Sequence, residues 1–362
     1  MKRHAFRVVF AVLPIVLLCA APIYAAPSGT AYNTSLKSAN PQVLAAQQLS
    51  KAGKTKEAIA LLSNSIQQNS LSADLYTMRA ELRDQERNFE GAVGDLNQSI
   101  TLNPHNDDLF VRRARIFLKV SQLEGAQSDI NYALKLNPKN YMAVALQGAL
   151  YSKLGRLDSA LRELNNAIAN DKTIAMAYLS RGGVEYKKKE LKKAIADFTT
   201  AINMDPEHSH GYQSRGCAYG EIGDYKKALD DFDRAVKIPV VGPQVYFNRG
   251  RVYRLTKQFN NALKDFNESI RLGMFEKDPA VPIFLERAQV YLALGRSHQA
   301  LIDLNHAIKN NATDARAYLL RAQAHKQLGS VQAELRDIAR AEELGATVRG
   351  LTSTQGKMEN QE

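Results

Sequence analysis

From residue 39 onward, small and apolar positions recur with a period of 34 residues, placing units at 39–72, 73–106, 107–140, 141–174, 175–208, 209–242, 243–276, 281–314 and 315–348. Lys277 to Ala280 is the single insertion in that register. The eighth position is small in every unit: Ala46, Ala80, Ala114, Gly148, Gly182, Gly216, Gly250, Ala288 and Ala322. A larger side chain there forces two elements apart, so close backbone approach is predicted at each.

The twentieth position is Ala from Ala58 through Ala300 and changes only at Glu334, in the terminal unit, where solenoids commonly deviate. Position 24 is apolar throughout (Leu62, Leu96, Ile130, Leu164, Phe198, Phe232, Phe266, Leu304, Ile338), and position 27 is always Ala or Ser. The spacing 20, 24, 27 lies on one face of a helix. Positions 4, 8 and 11 mark an earlier helix, as in Tyr212, Gly216 and Tyr219 or Tyr246, Gly250 and Tyr253. Gly or a polar residue at position 15 breaks the chain between them (Gly53, Gly155, Gly223, Gly295, Gly329), and Pro104, Pro138 and Pro206 close three units. Each unit is predicted to be two antiparallel helices, with no strand anywhere.

On these positions the units resemble tetratricopeptide repeats, which have small residues at 8, 20 and 27, aromatics at 4, 11 and 24, and Pro at 32 of a 34-residue period. The resemblance covers 39–348 as nine repeats. Gln42 and Leu49 depart from the aromatic pattern in the first, and Pro239 to Pro243 disturb the exit from the sixth. It implies an all-α chain wound as a right-handed superhelical solenoid, since one hairpin cannot bury its apolar face without stacked neighbours. Polar stretches, 26–38 and 349–362, flank the array.

Inside the repeats runs a charge ladder. Position 7 is Arg at Arg79, Arg113, Arg181, Arg215, Arg249, Arg287 and Arg321, and the same repeats carry Asp at position 23: Asp95, Asp129, Asp197, Asp231, Asp265, Asp303 and Asp337. Repeat one has Ala45 with Leu61, and repeat four has Gln147 with Glu163, so both charges are lost together. Burying either charge alone is costly, and the joint presence and absence predicts structural ion pairs between a first helix and a second, in the same hairpin or the next.

The N-terminus changes the picture of where the array works. Lys2, Arg3 and Arg7 precede an apolar run from Val8 to Ala21, and Ile23-Tyr24-Ala25 before Ala26 forms a cleavage point, so 1–25 reads as a signal peptide. An uncleaved anchor is the alternative, because Val8 to Ala26 nearly suffices to span a bilayer; Pro14 and Pro22 count against it. Val16-Leu17-Leu18-Cys19 has the outline of a lipid-attachment box, with Leu18 where a small residue belongs. Cleavage removes Cys19 and leaves Cys217 as the only thiol, which excludes an intramolecular disulfide. It also lowers the +11 net charge by three. The remaining surplus favours acidic partners only mildly. Periplasmic or secreted localisation is expected, with no stable membrane span after cleavage.

By the resemblance, positions 2, 5, 6, 9, 12 and 13 of the first helices face a concave groove. Arg112, Arg115 and Lys119 in repeat three, Lys153, Tyr186 and Lys187 in repeats four and five, and Phe247, Asn248, Arg251 and Arg254 in repeat seven are the candidate ligand-binding residues. They suggest a basic groove with exposed aromatic anchors, suited to an extended peptide or helix bearing acidic groups. The chaperone-type carboxylate clamp of the family needs Lys at position 5 and Asn at position 9 of one repeat, and no repeat has that pair.

Catalytic signatures are missing: there is no Gly-rich phosphate loop, nucleophile motif or paired-carboxylate site outside the repeat pattern. His208 and His210, with Asp205 and Glu207, meet at one repeat junction, and read as turn residues rather than metal ligands. Basic residues are interspersed with acidic ones, against nucleic-acid binding. Asn33, Asn97, Asn267 and Asn311 stand in glycosylation sequons that matter only in a eukaryotic host. The expected function is a non-enzymatic scaffold or adaptor without cofactor, holding a protein or peptide partner in the bacterial periplasm or envelope. The alternative is a chaperone-like binder of unfolded chains in a secretory compartment.

Overall fold

The computed structural model describes residues 40–238, 242–273 and 282–346. The proposed signal peptide, the 26–38 segment, the Lys277 to Ala280 insertion and the 349–362 tail lie outside these residues, as does Asn33. The described residues hold eighteen helices and no strand. The chain forms two compact units: the first carries 40–223 and 233–238, the second 224–232, 242–273 and 282–346.

In the first unit, α1 (Pro41–Lys51) and α2 (Thr55–Gln68) make one hairpin, α3 (Ala73–Gln85) and α4 (Phe89–Leu102) the next. They are followed by α5 (Asp107–Lys119) with α6 (Leu123–Leu136), α7 (Tyr141–Lys153) with α8 (Leu157–Asn170), α9 (Ala175–Lys187) with α10 (Leu191–Met204), and then α11 (Ser209–Glu221). After α12 (Tyr225–Ala235), the second unit has α13 (Pro243–Leu255) with α14 (Phe259–Arg271), α15 (Ile283–Ala293) with α16 (Ser297–Asn310), and α17 (Ala315–Gln327) with α18 (Val331–Glu343).

Local chemistry sets the ends. Asn40, Asn106 and Asn140 cap α1, α5 and α7 by accepting a backbone N–H of the first turn. Pro104, Pro138 and Pro206 follow two residues after α4, α6 and α10 end, where no helix N–H is needed. Every described position 15 is left-handed, and not only where it is Gly: Arg87, Ser121, Lys189 and Lys257 sit at φ near 60°.

Position 8 does what its size predicts. A Cβ on Gly182 would lie 2.7 Å from the Phe198 ring and 3.2 Å from the Ala194 carbonyl, and one on Gly148 would lie 2.7 Å from Leu164 Cγ. Positions 20 and 24 of the second helix therefore press directly on position 8 of the first. The core runs as overlapping clusters, each spanning consecutive hairpins: Val43, Ala58 and Leu62 with Leu75, Met78 and Leu82 in the first unit, and Phe247, Ala262 and Phe266 with Ile283 and Val290 in the second.

Within each unit, first helices touch first helices: α1 on α3, α5 on α7, α7 on α9 and α9 on α11, and separately α13 on α15 and α15 on α17. Second helices pack on the first helix that follows: α2 on α3, α4 on α5, α6 on α7, α8 on α9 and α10 on α11, and separately α14 on α15 and α16 on α17. Close spacing on the first-helix side alone bends a stack toward that side, so the first helices line the inner face of each unit.

Candidate functional site

The charge ladder is built as bidentate pairs inside single hairpins. In Arg79–Asp95, Arg113–Asp129, Arg181–Asp197, Arg249–Asp265, Arg287–Asp303 and Arg321–Asp337, Nε donates to one carboxylate oxygen and Nη2 to the other, at 2.6–3.0 Å. These six aspartates are buried, and a planar fork satisfying both oxygens is what offsets their desolvation. The seventh pair predicted from the sequence, Arg215 with Asp231, has its residues in different units, and only Arg215's contacts within the first are described.

Two further features of the ladder were not read from the sequence. The remaining nitrogen, Nη1, reaches back to position 25 of the preceding repeat: Arg79 to Ser63, Arg113 to Asn97, Arg181 to Asn165, Arg215 to Thr199, Arg287 to Asn267 and Arg321 to Asn305, at 2.6–3.1 Å. A polar column at position 25 was the available signal. Each guanidinium also lies over the position 4 ring, as Arg181 does over Tyr178 at 5.6 Å and Arg321 over Tyr318 at 5.5 Å. One Arg thus fastens its own hairpin and the one before it.

The groove candidates separate into three groups. Phe247 and Asn248 are fully buried, and Tyr186 nearly so, which corrects their reading as exposed anchors. Contact between adjacent first helices covers positions 5, 6 and 12, and Phe247 ends beside Phe266 in the core. A second group is basic but engaged in ion pairs between repeats. Arg112 pairs with Glu81 and with Asp108, and Arg115 and Lys119 converge on Asp84, Lys119 Nζ at 2.6 and 2.7 Å. Burial and the neighbouring Arg115 push the Lys119 ammonium down to about 8 against the pull of Asp84. In the second unit Arg251 and Arg254 grip the two oxygens of Glu286 at 3.0 and 2.7 Å.

Lys153 and Lys187 form the third group. Lys187 is exposed, and its ammonium donates to the Ser152 carbonyl and hydroxyl at 3.1 and 3.2 Å, while Lys153 donates to Ser121 Oγ at 3.4 Å. Partial desolvation of the ammonium groups lowers both pKa values, and Lys187 lowers that of Lys153 further by like charge.

Among the described residues no group of three or more His, Cys, Asp or Glu is disposed to hold a metal, and no helix is long and apolar enough to cross a membrane. Cys217 is fully buried in α11.

Family models described as tetratricopeptide repeat match residues 111–171, 146–209 and 285–347, and a second such model matches 209–239 and 243–272. The chain is a tetratricopeptide repeat protein. Comparison with curated proteins finds no match. Among solved structures, this tetratricopeptide repeat protein is similar to the APC/C hetero-tetramer Cut9-Hcn1, with 16% identity and a TM-score of 0.67 over 81% of this chain and 56% of that one. It is also similar to human IFIT1 dimers solved with PPP-AAAA and with m7Gppp-AAAA, each at 19% identity and a TM-score of 0.53, over 81% of this chain and 69% of theirs. At such identities the likeness shows the fold alone. Tetratricopeptide repeats are protein–protein interaction scaffolds, typically without catalysis of their own, and that is the coarse function of the chain.

Proposed function

We propose that the protein is a non-enzymatic adaptor of the bacterial periplasm or cell envelope, exported by its N-terminal segment, which holds a peptide or protein partner along the first-helix side of its repeats. The observation that carries this reading is the state of the groove cations. Arg112, Arg115, Lys119, Arg251 and Arg254 are tied to Glu81, Asp84, Asp108 and Glu286, whereas the exposed Lys187, beside Lys153, is held by neutral oxygens. Lys187 can therefore meet a partner's carboxylate by giving up only bonds to neutral oxygens, which favours a partner with acidic segments.

The test uses the purified full-length protein as bait in envelope extract, beside Lys153→Glu/Lys187→Glu. One or two folded proteins recovered by the native bait and lost with the variant is the expected result. A heterogeneous set of unfolded polypeptides held equally by both baits would overturn the adaptor reading in favour of a chaperone-like binder.

A further inference from the structure

Repeat four lacks the arginine of the charge ladder but keeps most of what that arginine binds elsewhere. A ladder guanidinium meets the position 23 carboxylate of its own hairpin and the position 25 side chain of the repeat before, as Arg113 meets Asp129 and Asn97. In repeats three, seven and eight it also lies over the position 11 ring, Phe117, Tyr253 or Tyr291, at 5.7–5.8 Å. Around repeat four these three positions are Glu163, Asn131 and Tyr151, again an acid, an amide and an aromatic ring, while position 7 is Gln147.

Gln147 is neutral and shorter than arginine, and the acceptors show the difference. Glu163 leaves 23% of its side chain exposed, against 2–9% for the six aspartates that a guanidinium covers. Arg162, itself 72% exposed, approaches Glu163 at 3.8 Å, beyond hydrogen-bond range. Asn131 Oδ1 accepts from Gln127 Nε2 at 2.9 Å, and an amide oxygen has a second lone pair to give.

A groove leads to these acceptors from outside. It is open, holds about 580 Å³ between α6 and the end of α7, and is lined by Leu123, Gln127, Asn131, Leu150 and Leu154. Asn131 thus belongs both to the groove and to the interrupted rung. Leu154 is exposed and offers apolar surface to an aliphatic stem, and the charges of Glu124 and Arg156, which also line the groove, offset each other. A long apolar stem ending in a planar fork for a carboxylate and an amide oxygen is the shape of arginine, whereas the ammonium of lysine is a point charge.

We propose that this outer groove is a docking site for an arginine side chain of a protein partner. The stem lies on Leu154, and the guanidinium supplies the rung that repeat four lacks, donating to Glu163 and Asn131 beside the Tyr151 ring. The site goes beyond the adaptor reading and does not depend on it, since its acceptors stand on the second helices α6 and α8 and not on the lysines of the first.

The isotope-labelled full-length protein is titrated by NMR with Nα-acetylarginine amide, which presents the side chain as a residue within a polypeptide does, and with its citrulline counterpart, which keeps the shape and loses the charge. Saturable shifts of the Gln127, Asn131 and Glu163 amides are expected with the arginine probe, and affinity weaker by roughly tenfold or more with citrulline or in Glu163→Gln. Gln147→Arg/Glu163→Asp writes the rung into the chain itself, and is expected to melt above the native temperature and to bind the probe no longer. Absence of saturable shifts at those residues in the native protein, equal affinity for the citrulline probe, or unchanged affinity in Glu163→Gln overturns the site. Tighter binding of free arginine than of its blocked form overturns the protein source. None of these results bears on partner capture by Lys153→Glu/Lys187→Glu, so the adaptor reading stands or falls by its own test.

Discussion

Replacing Arg113 by Met leaves Asp129 buried without its fork, and removing one member of a buried pair typically destabilises by about 3–5 kcal/mol. Arg113→Met is therefore expected to lower the melting temperature substantially, and Arg113→Met/Asp129→Leu to recover most of the loss in thermal unfolding. Position 11 decides how comfortably such a pair sits. It is aromatic in most repeats, as Tyr219 and Tyr253 flank their arginines, and in repeat two it is Arg83, which adds a 2.8 Å contact to Asp95. In repeat five it is Glu185, buried, with Oε2 unpartnered and Asp197 close by. Burial first, and then the Asp197 charge, raise the Glu185 pKa to about 7. A carboxyl raised above its ordinary 4.5 leaves stability intact below that pH and withdraws it as pH climbs through 7. Glu185→Tyr is thus expected to melt higher than the native protein at pH 8, with the gap closing toward pH 4.5.

At the scale of the helical elements, sequence periodicity was sufficient wherever one position faces one neighbour. Positions 8, 20 and 24 meet across a single hairpin, and the Arg–Asp pairs, 16 residues apart, follow the same logic. The groove was less legible because positions 5, 6 and 9 face the next repeat as well as the open side. Phe247 and Asn248 look like ligand anchors in a linear reading and are covered once first helices touch. The turn residues carry their own prediction. Lys189 holds φ of 63°, a region that costs a side-chain-bearing residue roughly 1–2 kcal/mol and glycine far less. Glycine's greater freedom in the unfolded chain offsets part of that, so Lys189→Gly is expected to stabilise by about 0.5–1 kcal/mol in denaturant titration.

For the whole molecule, repeats that contact only their neighbours make stability a sum of hairpin and interface contributions. The proposed export belongs to this scale too: mass spectrometry of protein recovered from the envelope is expected to find Ala26 as the first residue, and an intact Met1 would return the N-terminal segment to the role of an anchor. Repeat four stands apart in the sum. Lacking the Arg and Asp, it has in α7 a helix buried at Ala143, Val144, Ala145, Leu146, Ala149 and Leu150, which contributes to the clusters on both sides. With apolar neighbours on both sides, α7 is expected to exchange its amide hydrogens more slowly than any other helix of the first unit, which makes repeat four its keystone.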